Sequence, residues 1–161
     1  MRIITDMQPL IAHIHKRLMK NALTIAVAES CSGGLLAKAL TEAPGSSGYF
    51  ILGIVAYSNS AKKSILKIPA EIIAKKGSVS PEVARKMAQG VRKIAKSDIG
   101  IGITGIAGPA GGTPLKPVGT VFIAIDTKTK NFSKKFRFRG SRSTVRQKSA
   151  HKALELLKRI I

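Results

Sequence analysis

Short apolar runs alternate with amphipathic segments along the chain. Three of the runs, TIAVA, FILGIVAY and DIGIGIT, have the length and the aliphatic content of buried strands. The segments between them carry apolar residues at helical spacing or contain turn-forming glycine, proline and serine. This order predicts an α/β fold whose core strands are rich in Ile, Val, Leu and Ala.

The same pattern sets approximate bounds for each element. We predict strands over 24–28, 50–57 and 98–104, and a β-hairpin in which TKTK joins 119–126 to 131–139. Helices are predicted over 6–21, 33–40 and 58–66, over the stretch that follows Ser80, and from about 142 to the end. The stretch EAPGSSG, 42–48, is predicted to be a loop.

The best helix start in the chain lies at Ser80. Ser80 is a natural N-cap, Pro81 occupies the first helical position, and Glu82 lies in the first turn, where the helix dipole favours a negative charge. The residues expected on the core-facing stripe of this helix are Val83, Met87, Val91 and Ile94. In the strand that follows, Gly100 and Gly102 would let a neighbouring element approach closely.

Composition narrows the class of protein. A chain of 161 residues with 44% hydrophobic residues fits one domain with its own core. No apolar run approaches the roughly 20 residues that span a bilayer, and the first 20 residues mix charges with apolar positions, unlike a signal peptide. We therefore expect a cytoplasmic protein with no membrane partner. The single cysteine, Cys31, excludes an internal disulfide and a multi-cysteine metal site within these residues.

The charge is the most unusual global property. Lys and Arg number 28 against 8 Asp and Glu, which gives a net charge of +20 and favours anionic partners. The densest basic segment, 134–148, alternates Phe136 and Phe138 with Arg137 and Arg139, as a strand with one wet face does. Two interpretations stay open: a solvated surface, or a surface that binds nucleic acid.

Three segments rich in Gly or Ser follow the three predicted strands. They are ESCSGG, YSNSAKK and TGIAGPAGG. Ligands of open α/β sheets bind at the carboxyl ends of strands, so the three loops are expected to form one pocket. None is a standard phosphate-binding fingerprint, although the glycines of 105–112 could offer backbone N–H groups to an anion. The alternative is that the third segment is only a surface loop that turns at Gly and Pro.

The chemistry of these loops favours a serine and a lysine. The three histidines, His13, His15 and His151, lie outside them, which disfavours a Ser-His-Asp triad. The loops supply one carboxylate, Glu29, too few for a two-metal site.

A desolvated lysine can replace histidine as the base. Ser30 or Ser32 could therefore pair with Lys62 or Lys63, and a crowded basic environment would lower the pKa of that lysine.

Each of these residues also has an ordinary structural explanation. Ser30 or Ser32 could cap the next helix, and the two lysines could be solvated. Tyr57 could simply pack, and Cys31 could be either a reactive thiol or an inert buried one. Glu29 could orient a ligand or interact with a helix N-terminus.

Several motifs occur together in the order of a known family. AESCSGG, GIVAYSNSAKKSIL, GSVSPEVARKMAQG, IGITGIAGPAGG and KPVGTVFIAI resemble the C-terminal domain of CinA (competence-damage inducible) proteins. The stand-alone members of that family include the PncC-type nicotinamide-nucleotide amidohydrolases. The resemblance implies a three-layer α/β/α sandwich made of one domain over 1–161, with an N-terminal helix at about 6–20 and a motif-bearing core at about 24–161.

The resemblance also implies an activity. It is the hydrolysis of nicotinamide mononucleotide to nicotinate mononucleotide and ammonia, a step of pyridine-nucleotide salvage, with no cofactor and no metal. The serine of the family's ESCTGG motif corresponds to Ser30, the lysine that follows its YSN motif corresponds to Lys62, and Tyr57 would line the site. Backbone N–H groups from Cys31 to Gly34 would stabilise the oxyanion. The residues expected to contact the substrate are Glu29, Cys31, Ser32, Gly33, Gly34, Thr104, Gly105, Gly108 and Arg142.

Two positions depart from the family pattern. Ser32 stands where the motif has threonine, which conserves a hydroxyl group. Ser141 stands where an aspartate precedes the arginine of the family's GDR motif, so a charge pairing that would position Arg142 is lost.

We further expect the protein to form a homo-oligomer. Nucleic acid is a possible partner of the basic surface but not the main one. The alternative to the amidase is a basic nucleic-acid-binding or nucleotide-sensing protein linked to competence or DNA damage.

Overall fold

A computed structural model describes the backbone of residues 2–161 and the side chains from residue 7. These residues contain six α-helices and five strands. The helices are α1 (Arg2–Lys20), α2 (Leu35–Leu40), α3 (Asn59–Ser64), α4 (Ala70–Lys76), α5 (Pro81–Ala95) and α6 (Arg142–Lys158). The strands are β1 (Ile25–Glu29), β2 (Phe50–Val55), β3 (Ile99–Gly105), β4 (Thr120–Asp126) and β5 (Asn131–Arg137). A short 3-10 helix covers Ser46–Gly48 within the predicted loop, and α4 is an element that the sequence pattern did not predict.

The strands form one sheet in the order β2-β1-β3-β4-β5. The first three are parallel to one another, β4 runs antiparallel to β3, and β5 runs antiparallel to β4 as the predicted hairpin. The carboxyl ends of β1, β2 and β3 therefore lie at one edge of the sheet, and β4 begins at that same edge. This arrangement brings the three predicted loops together.

Helices cover both faces of the sheet, which confirms the three-layer α/β/α architecture. On one face, α1, α2 and α6 pack on alternate residues of the central strands, such as Val27, Ile101 and Ile123. On the other face, α5 packs with Val83 and Met87 on the intervening residues of β1. Both faces of β1, β3 and β4 are thus buried, which accounts for their continuous apolar runs.

Helix α5 lies directly against β3 at two glycines, as predicted. A Cβ atom on Gly100 would lie 2.2 Å from the carbonyl oxygen of Ala88, and one on Gly102 would lie 2.3 Å from that of Ala84. The predicted cap of α5 is also present, because Ser80 Oγ accepts a hydrogen bond from the backbone N–H of Val83. The core-facing stripe ends at Val91, since Ile94 is 46% exposed in the last turn.

Helix α2 begins two residues later than predicted. Gly33 and Gly34 have φ angles of +62° and +94°, which belong to the left-handed region and are incompatible with an α-helical turn. The two glycines instead form a tight turn between β1 and the first helical residue, Leu35. The serines of this turn therefore do not cap α2; Gly34 occupies the N-cap position.

Candidate active site

A cavity of about 250 Å³ opens where the three loops meet. The loop after β1 contributes Ser30 and Cys31 to its lining, and the loop after β2 contributes Tyr57. Helix α3 contributes Lys62. The end of β3 contributes the predicted residues Thr104 and Gly105, the loop after it contributes the predicted Gly108, and the start of α6 contributes Arg142.

Ser30 and Lys62 are in direct contact inside this cavity. The Nζ atom of Lys62 donates a hydrogen bond of 3.1 Å to the Oγ atom of Ser30 and another of 3.2 Å to the carbonyl oxygen of Tyr57. Ser30 is 8% exposed and Lys62 is 2% exposed, whereas the neighbouring Lys63 is exposed. Of the two predicted serines and two predicted lysines, the structure thus brings together Ser30 and Lys62.

Burial favours the neutral form of the Lys62 side chain. Removal of its ammonium group from water lowers the pKa of Lys62 below the ordinary lysine value, and the nearby Cys31 opposes this effect. Lys62 is held in place by its own helix, because Ser58 caps α3 by accepting a hydrogen bond from the N–H of Ala61. A buried lysine with a lowered pKa beside a serine hydroxyl is an arrangement able to activate a nucleophile.

Glu29 does not face the cavity. Its carboxylate is 1% exposed and accepts hydrogen bonds from the backbone N–H groups of Gly34, Leu36 and Ala37, at 3.1, 3.1 and 2.7 Å. The structure therefore corrects the expectation that Glu29 contacts the substrate. Glu29 instead accepts hydrogen bonds from N–H groups at the N-terminus of α2, which is the alternative that the sequence analysis left open.

Ser32, Gly33 and Gly34 also lie away from the cavity, which corrects three further expectations. Ser32 is fully buried and its Oγ atom has no hydrogen-bond partner. The N–H of Gly33 donates to the carbonyl of Ser30, and that of Gly34 donates to Glu29, so neither is available to an oxyanion. The turn folds the chain back beneath α6 rather than toward the pocket.

Arg146 is a residue of this region that no sequence motif indicated. It lies one turn after Arg142 on α6, and its Nε atom donates a hydrogen bond of 3.3 Å to the carbonyl oxygen of Ser32. A side chain on Gly33 would collide with its guanidinium, at 2.7 Å from the nearest nitrogen. Two side chains thus hold the turn that follows Ser30. Glu29 accepts a hydrogen bond from the N–H of Gly34, and Arg146 donates one to the carbonyl oxygen of Ser32.

Cys31 is an inert thiol in this structure. It is 6% exposed, and burial raises its pKa to about 12. Because the thiolate is the nucleophilic form of cysteine, this environment favours Ser30 over Cys31 as the reacting group.

A fourth segment, the loop before α5, completes one wall of the cavity. Ser78 and Val79 line it, and the hydroxyl group of Thr104 donates a hydrogen bond of 2.8 Å to the carbonyl oxygen of Ser78. Asn59, the first residue of α3, also lines the cavity. The sequence could have indicated Asn59, which lies within the quoted YSNSAKK segment, but it held no signal that the α5 loop would reach the site.

Arg142 bridges two of the loops at the rim of the cavity. It donates one hydrogen bond of 2.8 Å to the carbonyl oxygen of Gly108 and another of 2.6 Å to the hydroxyl oxygen of Tyr57. Ser141 is the N-cap of α6 and accepts a hydrogen bond from the N–H of Thr144. Arg142 is therefore positioned without the aspartate that the family motif places before it.

Comparison with known proteins identifies the family. Residues 7–161 match the family model described as the CinA C-terminal domain. The chain belongs to this family. The match covers the whole sheet and all the residues of the candidate site. It confirms the family that the motifs indicated.

Relatives of the CinA domain include longer proteins. This chain is 47% identical over 148 residues to a CinA-like protein of Desulfotalea psychrophila, and the alignment covers 92% of this chain and 36% of that protein. It is 53% identical over 135 residues to a putative competence-damage inducible protein of Moorella thermoacetica, with coverages of 84% and 33%. The chain thus spans about a third of the length of these relatives.

Solved structures share the architecture of the CinA domain. The competence damage-inducible protein A of Klebsiella pneumoniae superimposes with a TM-score of 0.92 at 32% identity, covering 96% of both chains. A competence/damage inducible protein of Agrobacterium tumefaciens superimposes with a TM-score of 0.92 at 36% identity, covering 94% of this chain and 93% of that chain. The fold is therefore that of CinA superfamily proteins.

Two further properties concern membranes and metals. Over the described residues, no helix is both long enough and apolar enough to cross a bilayer. The same residues contain no group of three or more His, Cys, Asp or Glu side chains arranged to hold a metal ion.

Proposed function

We propose that this CinA domain is an amidohydrolase that converts nicotinamide mononucleotide to nicotinate mononucleotide and ammonia. The observation that carries the proposal is the 3.1 Å hydrogen bond between Lys62 Nζ and Ser30 Oγ, formed by two buried side chains in the cavity at the strand ends. The substrate class comes from the resemblance of the motifs to the nicotinamide-nucleotide amidohydrolases. Membership of the CinA family is consistent with an enzyme of this kind.

Lys62 acts as the general base in the proposed reaction. In its neutral form it takes the proton of the Ser30 hydroxyl, and Ser30 Oγ attacks the carboxamide carbon of the nicotinamide ring. The tetrahedral intermediate collapses when the C–N bond breaks and Lys62 returns the proton to the leaving ammonia. Water, deprotonated by Lys62, then attacks the nicotinoyl ester, which releases the carboxylate and restores the Ser30 hydroxyl.

The oxyanion needs hydrogen-bond donors close to Ser30. The N–H groups of Gly33 and Gly34 are engaged elsewhere, so of the four residues predicted to supply donors only Cys31 and Ser32 are left. We assign the oxyanion contact to the N–H of Cys31, the residue that adjoins Ser30 and lines the cavity.

Arg142 is suited to hold the anionic end of the substrate. Its guanidinium lies at the cavity rim, and the two hydrogen bonds to Gly108 and Tyr57 fix its orientation. A guanidinium has five N–H donors, so further donors are available to the substrate phosphate. A nucleotide bound in this way would place its base toward Ser30, at the inner end of the cavity.

The first experiment measures ammonia released from nicotinamide mononucleotide by the purified protein. Ser30→Ala and Lys62→Ala should each lower the rate by several orders of magnitude, because each removes a principal member of the catalytic pair. The matched controls are Ser32→Ala and Lys63→Ala, which change the same residue types outside the cavity and should keep most of the activity. A folded wild-type protein that releases no ammonia would refute the proposed substrate, and full activity in Ser30→Ala would refute the mechanism.

A further inference from the structure

One continuous segment carries half of the net charge of the protein. Residues 127–154 contain ten Lys and Arg and no Asp or Glu, out of a net charge of +20 over the whole chain. The remaining 133 residues carry the other half. Uniform enrichment in lysine would not produce such a distribution, so the segment requires its own explanation.

The fold places much of this segment on one surface. Strand β5 is an edge strand of the sheet, and α6 packs beside it. Lys148 of α6 donates a hydrogen bond of 3.0 Å to the carbonyl oxygen of Arg139, and Lys152 lies with its Nζ atom 5.9 Å from the centre of the Phe136 ring. We call the set Lys134, Arg139, Lys148 and Lys152 the β5–α6 basic surface.

Most of these charges are not neutralised by the protein. Among the ion pairs of the described residues, only Lys152 of this set takes part, with Glu155 as its partner. Asp126, the acidic residue nearest in sequence to β5, is buried and pairs with Arg92. Lys134 and Arg139 are exposed, so their charges face solvent.

Protection of the sheet edge explains only part of this surface. Lysines on an edge strand discourage pairing with a strand of another molecule, which accounts for Lys134 and Lys135. It does not account for Arg139, which lies beyond the strand, or for Lys148, which lies on a helix. A row of fixed cations that continues from a strand to a helix is complementary to a polymer of negative charges.

We propose that the β5–α6 basic surface binds nucleic acid through its phosphodiester backbone. Lys134 comes from the strand, Arg139 from the segment after it, and Lys148 and Lys152 from successive turns of α6, so the cations are spread over three parts of the surface rather than gathered in one cluster. Contacts of this kind position a nucleic acid without reading its sequence. The proposal concerns a surface other than the Ser30–Lys62 cavity and does not depend on the amidase activity.

The test is binding of a fluorescently labelled oligodeoxythymidylate, followed by anisotropy at a series of salt concentrations. The variant with Lys134→Gln and Arg139→Gln removes two charges from the surface. The control with Lys16→Gln and Lys20→Gln removes two exposed charges from α1, so both variants have the same net charge. Each phosphate contact on a single strand contributes about 0.7 to the slope of log affinity against log salt concentration, so the surface variant should reduce the slope by about 1.4.

The control variant should leave that slope nearly unchanged. Equal losses in the two variants would mean that binding follows net charge alone and would overturn the assignment to this surface. Vesicles of anionic phospholipid serve as the competing polyanion. Binding of the vesicles without binding of the oligonucleotide would also overturn the proposal, in favour of a membrane surface. Thermal denaturation of both variants verifies that each is folded.

Discussion

The carboxylate of Glu29 accepts a hydrogen bond of 2.7 Å from the backbone N–H of Ala37, eight residues later in the chain. Between these two residues lie Ser30, Cys31 and the two glycines with positive φ. The bond closes the segment into a loop whose two ends are the last residue of β1 and the first turn of α2. The position of Ser30 is therefore tied to a side chain that never reaches the cavity.

Glu29→Gln should loosen this loop. The amide NH2 group replaces one acceptor oxygen and would face a backbone N–H, so at least one buried donor loses its partner. We expect a loss of about 1–3 kcal/mol in the free energy of unfolding. Cys31, the single cysteine, lies inside the loop and reports on its opening. Its rate of reaction with a thiol reagent should increase in the variant.

A remote variant separates loop opening from general loss of stability. Ile125→Val in β4 removes one buried methylene group and should cost about 0.5–1.5 kcal/mol. If reagent reaches Cys31 only by global unfolding, the labelling rate of each variant will be in proportion to its equilibrium fraction of unfolded protein, which follows from its measured stability. Faster labelling of Glu29→Gln than this proportion supports the local role of Glu29, and proportional labelling contradicts it.

The role of Glu29 could not be predicted from the sequence, although the family and the cavity could. The strand ends indicated the cavity but left two serines and two lysines as candidates, and the motif order indicated the family and selected Ser30 and Lys62. The direction of the Glu29 side chain was not predictable, because it depends on the positive φ angles of Gly33 and Gly34, which turn the N-terminus of α2 back toward β1. Capping of α2 by Ser30 or Ser32 was one of the alternatives left open, whereas the Glu29 carboxylate at the end of β1 accepts the hydrogen bonds from the N–H groups at the start of α2.

Lys62 should make the stability of the protein depend on pH. Burial lowers its pKa in the folded protein below 10.5, so between the folded value and 10.5 the unfolded chain binds a proton that the folded chain does not. Stability therefore rises with pH across this window, by about 1.4 kcal/mol for each pH unit that separates the two pKa values. Lys62→Met lacks this titration.

Urea denaturation of both proteins at several pH values measures the effect. The stability of the wild type relative to Lys62→Met should increase as the pH rises toward 10.5 and become constant above it. Lys63→Met provides the matched comparison, because Lys63 is exposed. Parallel pH curves for the wild type and Lys62→Met would show that burial does not disfavour the charged form of this lysine.

Tyr57→Phe should separate substrate binding from catalysis. The backbone carbonyl of Tyr57, which accepts the hydrogen bond from Lys62, is retained, while the hydroxyl that accepts from Arg142 is lost. Hydrogen bonds to charged groups contribute about 1.5–3 kcal/mol, an upper bound here because the tyrosine side chain is 58% exposed. For the proposed amidase we expect KM to rise up to about tenfold with little change in kcat. A fall in kcat without a change in KM would give the Tyr57 hydroxyl a direct role in the reaction.

Helix α4 and the contact between Arg146 and Ser32 could not be predicted from the sequence for other reasons. Helix α4 has seven residues and none of them is fully buried, so it lacks the apolar periodicity that identifies a helix. Arg146 reaches Ser32 from a distance of 114 residues along the chain, and one sequence gives no information on such a pairing. The glycines of β3 were more informative, because two of them at alternate positions of a buried strand already indicated a close neighbour.

Gly102→Ala tests that close contact between β3 and α5. The new methyl group would lie 2.3 Å from the carbonyl oxygen of Ala84 and 2.7 Å from the backbone nitrogen of Ala88, atoms that cannot move unless the helix moves. We expect a loss of about 1–3 kcal/mol in the free energy of unfolding, measured by urea denaturation. Gly48→Ala is the control, because its methyl group would meet only the flexible end of the Met19 side chain, and it should change stability by much less. A Gly102→Ala protein as stable as the Gly48→Ala protein would mean that α5 can shift away from the sheet at little cost, and the glycines of β3 would then not be required for the packing of this layer.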